Sequence, residues 1–232
     1  EVVRGATSSL YGSDALGGVL SLVTRDPADY LAGDAWHLGA RLGYDGRDDG
    51  RSASLVGALG RERWQASVVI SGTDAHEPDN QGTIRTENAL RTAPNPQDRE
   101  ALQALGKLVL FTGERGSIEI TAERFETEAL TEAYSSRVVQ DLGASFGPGV
   151  TFTIDTRDFD ADDRTSRDRL SVEPTFQLRD SAWADSLLFR AFVQESRTEQ
   201  LTDERRVTTR GGGFLGPLRT VESRIDGLLE LE

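Results

Sequence analysis

The chain has 232 residues, 39 acidic against 26 basic, for a formal charge of −13. That balance argues against a nucleic-acid partner, because phosphate recognition needs a basic face that releases counterions. The absence of cysteine removes disulfide scaffolds, thiolate zinc sites and cysteine nucleophiles together. With 37% hydrophobic residues the chain can bury a core, and no apolar run approaches the roughly 18 residues of a transmembrane helix. Alternating transmembrane strands escape that criterion, since they average to a polar-looking sequence. Glu1 stands where a starting methionine would, and no methionine occurs anywhere, so the chain reads as a segment of something longer. The preference for arginine over lysine, 25 to one, reads as coding bias.

Residues 1–34 are rich in glycine and small side chains, and Pro27 and Gly33 punctuate the passage into a different pattern. From Trp36 to Asp45, Trp36, Leu38, Ala40, Leu42 and Tyr44 alternate with His37, Gly39, Arg41, Gly43 and Asp45, the period of a half-buried strand. Further strands are expected at 52–60, from Trp64 to about Thr73, at 105–112, at 117–127, around Leu170 to Leu178, at 186–195 and from Val221 onward. No convincing helix separates these eight strands, and several exceed the usual globular strand of about five or six residues.

The connections are short at 46–51 and 61–63, long over about 74–104, short at "GERG", long over about 129–165, short at "RDSAWAD", and long over about 200–220. In a meander this puts every tight turn after an even-numbered strand at one end and the large loops at the other, the asymmetry of outer-membrane barrels. Trp36, Trp64 and Trp183 all fall at the tight-turn ends, where an interfacial aromatic girdle would stand. Two other architectures share the alternation: a soluble secreted β-sandwich that binds carbohydrate, and a complete eight-stranded barrel serving as an adhesin or structural protein.

The opening "EVVRGATSSLYGSDALGGVLSLVTRDP" resembles the C-terminal part of the plug domain of TonB-dependent outer-membrane receptors, which closes the plug just before the first barrel strand. "DPADYL" at 26–31 and "RTAPNPQD" at 91–98 are similar to the branch that handles haemoglobin, haem, transferrin and lactoferrin. The resemblance implies an all-β fold, part of a transmembrane antiparallel barrel of about 22 strands, with 1–34 as the end of the plug and 35–232 as the first eight strands. It implies residence in the outer membrane of a Gram-negative bacterium, contact with its lipid, and a TonB energy-transducing partner touching regions outside this chain. The transported ligand would be haem, or alternatively a ferric siderophore, with no permanently bound cofactor. Glu1 and Arg4 match family positions in a charged region that locks plug to barrel wall.

Of the two histidines, His37 is expected to face the lumen and touch the plug. His76 opens the first long loop and is the candidate ligand-binding side chain, imidazole being a common iron ligand. The family's haem histidines lie elsewhere, and His76 does not match their motifs. The run "DTRDFDADDRTSRD" reads as a hydrated acidic loop, because an EF-hand would need glycine and glutamate where Asp163 and Arg169 stand. "GSDALGG" lacks the endings of a phosphate loop, and no serine sits in a nucleophile elbow, so the sequence offers nothing for an enzyme. Arg41, Gln65, Ser67, Glu173 and Arg190 are expected to line the lumen.

Overall fold

The computed structural model describes residues 2–4 and 18–20 as backbone, and residues 24–113, 115–178 and 184–231 in full. β1 (Val2–Arg4) and β2 (Gly18–Leu20) form a small antiparallel pair. A one-turn helix, α1 (Pro27–Leu31), precedes the main sheet. Proline at its first position costs no hydrogen bond there, the Asp26 N–H donates to the Asp29 carboxylate at 2.9 Å, and Ala32 ends it in the left-handed region. This helix precedes the first of the eight strands, whereas the expectation of no helix concerned the segments between them. Asp-Pro followed by a short run is a start signal, but one turn is too short to show a helical period.

The main sheet runs β3 (Trp36–Asp45), β4 (Gly50–Arg61), β5 (Trp64–His76), β6 (Gln97–Phe111), β7 (Gly116–Glu132), β9 (Thr151–Gln177), β11 (Ala191–Gly211) and β12 (Arg219–Leu231). Each is antiparallel to its sequence neighbour. Short strands β8 (Val139–Asp141) and β10 (Ser186–Leu188) add to β9. Among the described residues β3 and β12 stand at opposite ends of the order, so the eight strands do not close on themselves. That excludes the small closed barrel for these residues, and one continuous meander is not a two-sheet sandwich.

Continuous register sorts the side chains onto two faces. One row carries Leu38, Gly57, Val68, Gly106, Ala122, Leu170 and Val193 in successive pairings. Around it lie Leu42 (85% exposed), Trp36 (65%), Leu55, Leu59, Ile70 and Leu102, an apolar band that none of the described residues covers. The next row, on the opposite face, carries His37, Ala58, Ser67, Lys107, Thr121, Ser171 and Phe192. α1 sits on that side, and Ala58, Ser67, Lys107 and Thr121 are buried there. We call these the bare face and the helix face. Trp36 and Trp64 both begin strands at the tight-turn end, as expected, whereas Trp183 lies outside the described residues.

The three large loops are shorter than the sequence suggested. They span 77–96, 133–150 and 212–218, so 74–76 (with His76, expected to open the loop), 97–104, 129–132, 151–165, 200–211 and 219–220 are strand. β9 alone has 27 residues, about 90 Å at strand rise, where about ten tilted residues cross a bilayer. The extensions are mostly polar on both faces, with isolated apolar side chains such as Leu130 and Leu201. Hydrophobic alternation vanishes there, although the hydrogen-bond ladder continues, interrupted only by a bulge where Arg205–Arg206 pass Asp158 and Thr156. The acidic run at 155–168 is part of β9 and not a loop.

Candidate ligand surface and the inner face

The long loops share one end of the sheet and are built onto each other. In the first, the Ile84 carbonyl accepts the Thr92 and Ala93 N–H groups at 3.0 Å, and a side chain on Gly82 would overlap the Thr92 carbonyl. Arg91 caps it, donating to the Pro94 carbonyl at 2.7 Å and to the Arg85 carbonyl at 3.1 Å. The second loop is tied on through Tyr134, whose ring lies 5.1 Å from the Arg91 guanidinium and 4.3 Å from that of Arg137. Arg137 also pairs with Glu87 at 2.5 Å and Asp158 at 3.5 Å. The Asn95 amide donates to Ser135 Oγ at 2.9 Å while the Ser135 N–H donates to Asn95 Oδ1 at 3.0 Å. The third loop lies against the second, Gly212 over the Gly149 carbonyl. The segment "RTAPNPQD" at 91–98, marked in the sequence only by its family likeness, holds the capping Arg91 and the bridging Asn95.

His76 ends β5 on the bare-face row, beyond the apolar band, with Nδ1 2.8 Å from Asp98 Oδ1. Arg99 donates to its carbonyl at 2.9 Å and to Asp48 at 2.6 Å, which ties this corner to the β3–β4 turn. In that turn Arg47 clamps Asp45 and holds its carboxyl down to about 2. Carboxylates outnumber arginines across the polar extension of the bare face. Arg124, Arg164, Arg197, Arg205 and Arg224 are each met by acidic partners, as Arg164 is by Glu128 at 2.7 Å and Asp162 at 2.9 Å. Burial and the neighbouring Glu132 carboxylate raise Asp160 above the usual carboxylate range. Among the described residues no group of three or more histidine or acidic side chains is placed to hold a metal ion. At 155–163, Asp158, Asp160 and Asp162 share one face of β9 but stand about 7 Å apart along the strand, and Asp163 points to the other face.

On the helix face, Leu31 (3% exposed) and Pro27 are buried against the wall. Gly60 makes room: a Cβ there would come within 2.7 Å of Leu31 Cδ1. The rings of Tyr30 and His37 stack at 6.1 Å, so His37 does meet residues of the opening segment. Arg41, Gln65, Ser67 and Glu173 share this face, and Arg190 reaches it by donating to Glu173 at 2.5 Å. The site that sequence reasoning missed is Lys107, the chain's single lysine. Its side chain is 5% exposed, and its ammonium lies 2.7 Å from Asp26 Oδ1, 3.1 Å from Glu119 Oε1 and 3.2 Å from the Thr24 carbonyl. The available signal was a lone lysine at a polar position of an alternating strand, which coding bias does not explain. Glu1 and the side chain of Arg4 lie outside the described residues.

Fold and faces define a class: an open, antiparallel sector of β-barrel wall, apolar on one face and polar on the other, with large loops at one end. The chain is similar to hemoglobin and hemoglobin-haptoglobin-binding protein B of Haemophilus influenzae, 26% identical over 153 residues, which is 61% of this chain and 14% of that protein. It is 24% identical to hemoglobin-binding protein A of the same species over 210 residues, 88% of this chain and 20% of that protein. Lactoferrin-binding protein A of Neisseria meningitidis serogroup B is 28% identical over 85 residues, 36% of this chain and 9% of that protein. No protein-family profile matches. The chain is thus a relative of bacterial haemoglobin- and lactoferrin-binding proteins, the branch its own motifs resemble, and it spans a fifth or less of the length of these relatives. By their names these relatives bind proteins.

Proposed function

We propose that the chain is part of a TonB-dependent receptor in the outer membrane of a Gram-negative bacterium, one that takes up an iron-carrying ligand, with haem as the transported species. Residues 1–34 are then the end of the plug and 35–232 the first eight strands of a barrel of about 22. The carrying observation is the bare apolar band, bordered at one end by tight turns and at the other by charged strand extensions and large loops. An apolar face of that extent needs a nonaqueous neighbour, and lipid against alternate residues of long antiparallel strands supplies it. The boundary supports this. It falls between Gly72 and Asp74 on β5, Leu102 and Glu100 on β6, but Ala122 and Arg124 on β7. It thus holds level from β3 to β6 and from β7 to β11, with one step of four residues of register between the two groups.

The loops at 77–96, 133–150 and 212–218 form part of the mouth that meets the ligand. His76 is the ligand contact at that rim: with Nδ1 engaged by Asp98, Nε2 is the nitrogen left to meet iron or a propionate. Glu1 and Arg4 take part in locking plug to wall. Energised uptake follows when the TonB complex acts on parts of the receptor outside this chain.

The test is expression of the complete receptor in a strain unable to use haem. Growth on haem that disappears with the proton gradient or with the TonB complex supports the reading. Growth on a ferric siderophore in place of haem moves it to the siderophore branch, and a receptor absent from the outer membrane overturns it. His76→Ala is expected to weaken haem binding several-fold, and unchanged binding removes His76 from the site.

A further inference from the structure

We infer that Lys107 is the fixed anchor of the segment by which the inner domain enters the barrel wall, a positioning residue that keeps displacement of the inner domain from reaching the first strand. The inference rests on reading residues 1–34 as the end of a plug. Its geometry stands apart from that reading. One ammonium satisfies its three donors on the Thr24 carbonyl and Asp26 carboxylate of the entering segment and on Glu119 of β7. Thr121 Oγ1 donates to the same Glu119 oxygen at 3.0 Å, fixing the acceptor. The buried Lys107 side chain thereby joins β6, β7 and the entering chain through one ammonium.

A second hold lies across the wall. Leu31 fills the space over Gly60 on β4, and the Gly60 N–H donates to the Ala35 carbonyl at 2.9 Å immediately before β3. The entering chain is therefore pinned electrostatically over β6 and by apolar contact over β4, with α1 spanning the interval. Force applied before Thr24 meets the Lys107 contact first. If that contact holds, the Ala35–Gly60 hydrogen bond and the β3 register behind it are not loaded. An ammonium suits this place because it gathers three acceptors around one atom, whereas a guanidinium offers a planar fork of greater reach. In a chain with 25 arginines and one lysine, the lysine stands where compactness is required.

The experiment uses the complete receptor and its Lys107→Met, Lys107→Arg and Asp26→Asn variants. Hydrogen exchange over residues 24–35, read beside that over β6 and β7, reports the anchor without any transport. Lys107→Met and Asp26→Asn are expected to speed exchange at 24–35 at least tenfold while the strands stay protected, with Lys107→Arg in between. Unchanged exchange overturns the inference. Uptake of radio-iron-labelled haem is expected to fall at least fivefold in Lys107→Met with surface binding of haem unchanged, and Lys107→Arg is expected to recover part of it. Faster exchange with uptake intact also overturns the positioning role. If the unaltered receptor takes up no haem, the functional reading fails on its own while the exchange result still decides the anchor. If Lys107→Met fails to reach the membrane, Asp26→Asn, which leaves the lysine in place, carries the test.

Discussion

The two halves of the same strands are held in different ways. Toward the tight turns, side chains on the bare face are Leu, Val, Ile, Gly and Ala, and on the proposed reading those strands are stabilised by lipid against that face. Toward the loops, the same row carries Asp, Glu and Arg. There the ladder stands on backbone hydrogen bonds and cross-strand ion pairs such as Arg164 with Glu128 and Arg197 with Glu230. Exposed pairs are each worth at most about 1 kcal/mol. The ladder of backbone bonds therefore carries the extensions, and the charges select register and oppose nonspecific pairing.

One substitution chemistry should separate the halves most sharply. Val68→Arg places a charge within the band and is expected to cost about 2–4 kcal/mol. Leu201→Arg, on the same face but opposite Asp162 and Leu228, should stay within about 0.5 kcal/mol. Denaturant titration of the complete receptor in lipid checks both, and equal costs would break the comparison. Gly60→Val is next: it drives a side chain into Leu31 and is expected to cost about 1–3 kcal/mol, visible as faster exchange at 24–35 with little change in the extensions. Arg137→Ala removes the ring contact to Tyr134 and the pair with Glu87, about 1 kcal/mol. It should make the 77–96 loop several-fold more sensitive to protease.

The smallest effect concerns pH. Asp45 is held below its ordinary value by Arg47, so it stabilises its turn above the unfolded carboxylate range and loses that contribution as pH falls through about 2. Its carboxyl resonance should titrate near that value and return toward about 4 in Arg47→Ala.

The same contrast explains what could be read in advance. Trp36–Asp45 is legible to the residue because Leu38, Ala40 and Leu42 line the apolar bare face while Gly39 and Arg41 line the other. The meander, the segregation of turns and the apolar side of β9 follow from the same alternation. The outer reaches of β9 and β11 are not legible: Asp160, Ala161, Asp162, Asp163 and Arg164 present no apolar period, and only the partner strands reveal them as strand. Nor could local sequence bring Arg91, Tyr134 and Arg137 together, or set Lys107 against Asp26. Those contacts cross 46 and 81 positions of chain and depend on register in strands between them.

The most direct measurement of the central claim uses the absence of cysteine from this chain, with any cysteine elsewhere in the receptor replaced by serine. Single cysteines are placed at residues 65–76 of β5 in the complete receptor, spin-labelled in lipid, and collided with oxygen and with a water-soluble nickel reagent. Oxygen contact should peak at 66, 68 and 70, drop at 67, 69 and 71, and give way to the nickel reagent at 74 and 76. A profile without that two-residue period, or one with water-soluble contact throughout the band, would contradict a lipid-facing wall.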